Sequence, residues 1–235
     1  MATLIAAVII ALPFLHSAAA FAEPYSLRTF RLGMTLDEFR STPHPDPGRY
    51  GDVRLFCTGD RQLDLLEKSI VVRQDALELR GSETEQKAGI RKCRYFWLAD
   101  IVGSKEWMPG GLVVANIGVG ATFYFLQDRS DPLTYRLFKI HMTSNTQHFE
   151  QFLAAYKERF GSPQLLRNES VQNKLGAVFD SVVAIWKNED STIVLQQRGA
   201  EGRVDLMPIV YTHDKLIADL AKRIEAIEGK PSDKL

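Results

Sequence analysis

Strand patterns between residues 91 and 142 constrain the fold of this chain more than any other feature. Gly, Asp and Pro residues punctuate this stretch and divide it into segments with β character. Strands are therefore predicted at 91–99, 111–117, 121–127 and 134–142. In one of them, period-2 alternation directs Phe123 and Phe125 to one face and Tyr124 to the other. The stretch predicts an antiparallel sheet.

A long amphipathic helix is predicted after this region, from about Thr146 to Phe160. Its apolar residues recur at helical spacing and form one stripe, which consists of Phe149, Phe152, Leu153, Tyr156 and Phe160. Gly161 and Pro163 end the helix. The stripe has too much apolar area to remain exposed. We therefore expect the helix to pack on the strands that follow it, including Trp186.

Shorter elements precede the sheet region. Thr35 and Glu38 form a capping box for a short helix, which the proline-rich loop over 42–51 ends. A strand is predicted over 53–57. Residues 61–80 fit neither the helical nor the strand period, and the polar stretch 81–87 is predicted as a loop.

The C-terminal part repeats the order of a helix followed by antiparallel strands. A β-meander is predicted at 175–187, 191–198 and 203–211, and a final amphipathic helix begins at Thr212. The predicted fold class is therefore α+β, an antiparallel sheet or sheets with helices packed on one face and a C-terminal helix. Residues 23–143 and 144–235 form either two tandem helix-plus-meander units or one continuous domain.

The first 22 residues are typical of a secretory signal peptide. An apolar run from Leu4 to Leu15 is followed by small residues that end in Ala20-Phe21-Ala22, the pattern of an A-x-A cleavage site. The run is shorter than the ~20 apolar residues that cross a bilayer. We expect a mature protein that begins at Glu23, has no membrane span, and is periplasmic or secreted.

Cys57 and Cys93 are the only two cysteines. In an exported chain they most simply form one disulfide, which would stabilise the fold by roughly 3–4 kcal/mol on the chain-entropy model. The alternatives are weaker, because a redox site favours a C-x-x-C spacing and a zinc site needs more ligands than two distant thiols.

Overall charge and motifs exclude several function classes. The chain has 29 basic and 29 acidic residues, so no net field attracts nucleic acid, which is not an expected partner. Gly118-Val119-Gly120 lacks the third glycine of a dinucleotide motif, and β residues follow it where a helix should begin. No cofactor is expected.

The candidate catalytic groups are histidines and carboxylates, to which the sequence assigns no role. His44 and Asp46 lie close together in a loop, but a metal site needs three or four ligands. His141, His148 and His213 are scattered, and no G-x-S-x-G elbow appears. No catalytic or metal-binding residue is predicted. A hydrolase whose acidic and His residues converge only in the fold is the alternative function.

Aromatic side chains on the predicted sheet suggest a binding face instead. Tyr95 and Trp97 share one side of their strand, and with Tyr124 they would line the sheet if helices leave one side uncovered. The competing interpretation is that these aromatic residues simply fill the core. The preferred function is therefore a non-catalytic envelope protein that recognises another macromolecule, such as another envelope protein, through its sheet. The sequence does not indicate an oligomeric state.

Three fragments together resemble small bacterial envelope proteins. They are the helix start Gly33-Met34-Thr35-Leu36-Asp37-Glu38, which fits G-M-T/S-x-x-E, the helix end Tyr156–Pro163, and Trp186. The combination is similar to β-lactamase-inhibitor-like proteins with tandem helix-plus-sheet units and to the small lipoprotein of the outer-membrane assembly machinery. This chain lacks the lipidated Cys of the latter. The resemblance implies a fold and an envelope location, and it carries over no catalytic residue.

Overall fold

The computed structural model of this protein describes residues 23–49, 51–101, 103–200 and 202–229, and the predicted signal segment 1–22 lies outside them. The strands are β1 Ser26–Leu27, β2 Phe30–Arg31, β3 Val53–Cys57, β4 Ile90–Ile101, β5 Ser104–Pro109, β6 Gly111–Val114, β7 Ile117–Gln127, β8 Tyr135–Asn145, β9 Leu165–Gln172, β10 Val178–Lys187, β11 Ser191–Gln196 and β12 Leu206–His213. The helices are α1 Leu36–Ser41, α2 Leu63–Glu67, α3 Arg73–Arg80, α4 Glu83–Lys87, α5 Phe149–Phe160, which follows the 3₁₀ turn Thr146–His148, and α6 Asp214–Glu228.

A single 10-stranded antiparallel sheet contains all strands except β1 and β2, which form a separate hairpin. The strand order is β3-β4-β7-β8-β12-β11-β10-β9, while β5 pairs with β4 and β6 pairs with β7. β8 and β12 join the two halves of the chain, with Ile140 opposite Tyr211. The predicted α+β class, with a large antiparallel sheet and a C-terminal helix, is confirmed. No helix in the described ranges is long and apolar enough to cross a membrane.

One side of the sheet, here called the α5 side, is covered by α1, α5 and the β1–β2 hairpin. Phe152 is completely buried there, and the hydroxyl of Tyr211 donates to the hydroxyl of Tyr156 at 2.8 Å. The indole Nε1 of Trp186 donates to the carbonyl oxygen of Gly161 at 2.8 Å. The prediction that the long helix packs on the strands after it is therefore confirmed.

Helices also lie on the opposite side of the sheet, here called the α6 side, in two separate places. α2 and α3 pack on Phe56 and Phe96 near one end of the sheet. α6 packs on Leu126 and Phe138 nearer its middle. The expectation that helices pack on one face only is wrong, because β4, β7 and β8 carry apolar side chains on both faces.

Several elements differ from the sequence predictions. The ambiguous residues 61–80 form α2 and α3, and the predicted loop at 81–87 contains α4, which a capping box of Ser82 and Glu85 starts. β5 and β9 were not predicted, because both are rich in polar residues and lack apolar alternation. The second meander therefore begins at Leu165, earlier than the sequence indicated.

Candidate interaction face

The three aromatic residues predicted to line one face are divided between the two sides of the sheet. Tyr95 is buried on the α5 side, where its ring centroid lies 6.1 Å from those of Phe39 and Phe123. Trp97, two residues further along β4, points to the same side and is half-buried. Tyr124 follows Phe123 in β7 and points to the α6 side. Tyr95 therefore belongs to the core of the α5 side, and Tyr124 points to the opposite side of the sheet. The three aromatic residues do not form one binding face, and this prediction is wrong.

The predicted disulfide joins Cys57 to Cys93. The two residues lie directly opposite each other in β3 and β4, with their Cα atoms 4.1 Å apart, and both are buried in the α5-side core. The bond fixes β3, the strand at one end of the sheet, to its neighbour β4.

A row of side chains crosses six strands on the α6 side, and it is here called the cross-strand row. Thr122 on β7 lies opposite His141 on β8, which lies opposite Val210 on β12. From Val210 the row continues through Val194 on β11 and Ile185 on β10 to Leu165 on β9. With strands about 4.8 Å apart, the row is about 24 Å long.

The apolar centre of this row is partly exposed. Ile193 and Leu195 belong to the core of the α5 side, so Val194 between them points to the α6 side. The same alternation directs Val210 and Ile185 there, and all three valine and isoleucine side chains are half-buried. None of the three packs against an apolar helix cluster within the described part of the chain. The centre of the row is therefore a partly exposed part of the sheet, with no apolar helix cluster above it.

A hollow of about 280 Å³ lies at the end of the row that is nearer α3. Its lining consists of Glu78, Leu79, Lys92, Arg94, Thr122, Tyr124 and His141. Two of its cations form ion pairs, Arg94 with Asp75 at 2.5 Å and Lys92 with Glu85 at 2.9 Å. The hollow thus combines an aromatic ring, a hydroxyl and an imidazole with basic groups that are already neutralised.

Lys139, a third cation near this hollow, differs from Arg94 and Lys92 in its surroundings. It lies opposite Tyr124 in the β7–β8 register, and its ammonium group is 4.4 Å from the centroid of the Tyr124 ring. No carboxylate forms an ion pair with it among the residues that the structure describes. Burial lowers the pKa of Lys139, Lys92 lowers it further, and Glu85 raises it. A carboxylate brought to this point would stabilise the charged ammonium.

α6 borders the row and is only loosely packed. Its apolar stripe consists of Leu216, Ile217, Leu220, Ile224 and Ile227, and no residue of this fully described helix is buried. Arg223 anchors it, because the guanidinium donates to the carbonyl oxygen of Gln127 at 2.7 Å and pairs with Asp219 at 2.6 Å. Part of the apolar surface of α6 therefore remains accessible beside the cross-strand row.

A larger cleft of about 660 Å³ lies elsewhere, around Asp60 and Arg91. The Asp60 carboxylate pairs with Arg40 at 2.7 Å, and the Arg91 guanidinium lies 4.1 Å from the Tyr135 ring centroid. No histidine lines this cleft. The described residues contain no group of three His, Cys, Asp or Glu side chains that could hold a metal ion.

The histidines considered for catalysis lie in different surroundings. His44 Nε2 donates to the carbonyl oxygen of Gly111 at 3.1 Å, and its ring lies on the α5 side against Tyr95. His141 belongs to the hollow on the α6 side. His213 lies against Gly33, and its Nδ1 is buried without a hydrogen-bond partner among the described residues. His44 and His213 do not line the hollow that contains His141.

Comparison of the chain with protein-family models, curated proteins and solved structures gives no match. The site must therefore be interpreted from its own chemistry.

The apolar centre of the row was not identified from the sequence, although the sequence contains a signal for it. Half-buried strands alternate apolar and polar residues, whereas Val182–Trp186 and Ile193–Leu195 are uninterrupted apolar runs. Such runs indicate strands whose two faces are both apolar. Only the fold reveals that one of those faces has no helix above it.

Proposed function

We propose that this protein is an exported, non-catalytic binding protein that recognises another envelope protein through the cross-strand row and the adjoining hollow. The observation that carries the proposal is the apolar centre of the row, formed by Val210, Val194 and Ile185, which is partly exposed and has no apolar helix cluster above it. A contiguous exposed apolar surface is uncommon on a monomer and is typical of interaction sites. Recognition through a face of the sheet thus remains the proposed function, but the residues of the cross-strand row replace Tyr95 and Trp97.

The chemistry of the surface defines the partner that would fit it. Three β-branched residues offer a flat, stiff apolar strip, which suits the apolar face of a helix or an extended segment. At one end of the strip, Lys139 and Tyr124 would accept an acidic side chain of the partner. We therefore propose a partner segment that combines apolar residues with a carboxylate placed beyond one end of them.

Export and the envelope location are part of the same proposal. The A-x-A pattern at Ala20–Ala22 supports cleavage before Glu23. The Cys57–Cys93 disulfide supports an oxidising compartment, since such bonds are rare where thiols are kept reduced. We also propose two tandem units, α1 with β3–β8 and α5 with β9–β12, as the basis of the resemblance to β-lactamase-inhibitor-like proteins.

Charged substitutions in the row test the proposal. The purified protein is immobilised and exposed to an envelope fraction of the cells that make it. Val194→Glu and Val210→Glu each place a carboxylate in the apolar centre, so both should abolish retention of the partner, because burying an unpaired charge is costly. Bound proteins are compared by mass spectrometry, and a melting curve establishes that each variant is folded.

Ala154→Glu is the matched control, because Ala154 is an exposed residue of α5 on the other side of the sheet. It adds the same charge and should leave retention unchanged. Equal retention by the wild type, both row variants and the control would refute the proposed face. Turnover of a substrate that is lost with His141→Ala but unaffected by Val194→Glu would favour the hydrolase alternative.

A further inference from the structure

The β9 edge of the sheet offers a second interaction surface, which shares Leu165 with the cross-strand row. We propose that β9 pairs antiparallel with β9 of a second copy of this chain, around a two-fold axis that passes through Asn168. The two sheets would then form one continuous sheet across the dimer.

The outward backbone groups of β9 are identified by the hydrogen bonds of its neighbour. The N–H of Val182 donates to Gln197 Oε1 at 3.2 Å, and its carbonyl accepts from the N–H of Gln197 at 2.8 Å, so both groups point away from β9. Asn168 lies opposite Val182. In an antiparallel ladder, the backbone N–H and C=O groups of two opposed residues either both point towards the partner strand or both point away from it. The backbone groups of Asn168 therefore face the open edge, and those of Leu166 and Ser170 follow by the period of two.

Arg167 and Glu169 place charges on this edge, but other features that prevent strand pairing are lacking. β9 has eight residues in unbroken register with β10, without a proline or a bulge. Leu165 and Leu166 are 40% and 51% exposed, and no other strand of the described chain pairs with the outer side of β9. A long, flat, exposed edge is a template for another strand.

The sequence of β9 selects a second copy and a single register. With Asn168 opposite Asn168 of the second copy, Arg167 lies opposite Glu169 of the second copy, and Leu165 lies opposite its Val171. Registers centred on Arg167 or Glu169 would place identical charges opposite each other. In the proposed register, the charged and apolar pairs occupy the non-hydrogen-bonded positions, where facing side chains are closest.

Two-fold symmetry makes each of these contacts occur twice. In the single chain, Arg167 and Glu169 pair with each other along the strand, where both are accessible to solvent. On dimerisation, Arg167 and Glu169 therefore exchange each other for Glu169 and Arg167 of the second copy. No unpaired charge is buried.

The opposite end of the sheet lacks this self-complementarity. β3 has five residues, and a two-fold axis at its central Leu55 would place Arg54 opposite Phe56. Its Arg54 pairs with Asp52 two residues before it, at 2.8 Å. β3 is therefore a natural internal control for charge changes on β9.

Analytical ultracentrifugation of the purified protein over a wide concentration range tests the proposal. The wild type should sediment as a dimer that dissociates on dilution. Arg167→Glu and Glu169→Arg should each weaken the dimer about tenfold or more, because like charges then face each other twice. The double variant Arg167→Glu/Glu169→Arg should restore dimerisation, and Arg54→Glu should leave it unchanged.

Asn168→Pro removes an outward N–H without touching the ladder to β10, and proline is tolerated on an edge strand. It should therefore abolish the dimer while the far-ultraviolet circular dichroism stays native. A wild type that is monomeric at every concentration would overturn the proposal. So would a dimer that neither Arg167→Glu nor Asn168→Pro weakens, since it would use another surface.

Discussion

Hydrogen bonds of the His44 ring depend on its protonation state. Its Nε2 donates to the carbonyl of Gly111, and its Nδ1 accepts from the N–H of Asp46, each at 3.1 Å. This network assigns the proton to Nε2 of the neutral ring. Protonation of Nδ1 would place its N–H against the backbone N–H of Asp46 and break this hydrogen bond. Burial lowers the pKa of His44, although Gly111 and Asp46 raise it and Arg28 lowers it.

The lowered pKa of His44 makes stability depend on pH. Because the folded-state pKa is below the unfolded value of about 6.5, the contribution of His44 is fully present above that pH and is lost as the pH falls through the folded-state pKa. We expect denaturant unfolding to give a free energy that declines below about pH 6.5. The decline should be smaller in His44→Gln, and the residual decline includes His213, whose pKa burial also lowers. An identical pH profile for the variant would contradict this role.

At the scale of residues, the sequence predicts the disulfide correctly but not which aromatic side chains share a face of the sheet. The Cys57–Cys93 bond follows from composition, since only two cysteines are present. The placement of Tyr95 and Tyr124 does not, because it depends on which strands become neighbours and on which helices cover them. Both are long-range properties of the fold that no local pattern encodes.

The two long helices, α5 and α6, show the same sequence pattern but differ in packing depth. α5 buries Phe149, Phe152, Leu153 and Tyr156, whereas α6 buries none of its residues. α5 lies on the sheet and shares one core with the β1–β2 hairpin, while α6 packs on a small patch around Phe138. Amphipathic spacing therefore predicts both helices, but it does not predict how much of each stripe is buried.

This difference predicts unequal losses of stability. Phe152→Ala should lower the free energy of unfolding by about 3–5 kcal/mol, because it empties a fully enclosed site. Leu220→Ala on α6 removes a half-exposed side chain and should cost about 1 kcal/mol. Chemical denaturation of both variants measures the two losses. Equal losses would contradict the assignment of α5 as core and α6 as a surface helix.

The elements themselves were largely predictable where local chemistry is strong. The capping box at Thr35 and the long helix ending at Gly161 appear as expected. α4 was missed although Ser82 and Glu85 form the same kind of cap, because its five residues lack an apolar stripe. β9 was missed because an edge strand needs little apolar alternation to be held by its neighbour.

For the whole molecule, the uneven cover of one continuous sheet is the central feature. The α5 side is covered from β4 to β10, whereas on the α6 side the apolar clusters under α2, α3 and α6 contain no residue of β12, β11, β10 or β9. The sequence predicts most strands of the sheet and the helices α1, α5 and α6. It does not predict which part of the sheet lacks a helix above it, because that depends on the strands on which α2, α3 and α6 pack.

Site-specific photo-crosslinking tests the role of the cross-strand row most directly. A photoreactive residue is placed at position 194 in the row or, as a control, at position 154 on α5, and the protein is irradiated in the cells that make it. We predict a discrete heavier adduct from position 194 that Val210→Glu abolishes, and no such adduct from position 154. An absence of adduct at position 194, or the same adduct from both positions, would contradict the proposal that the cross-strand row binds a partner.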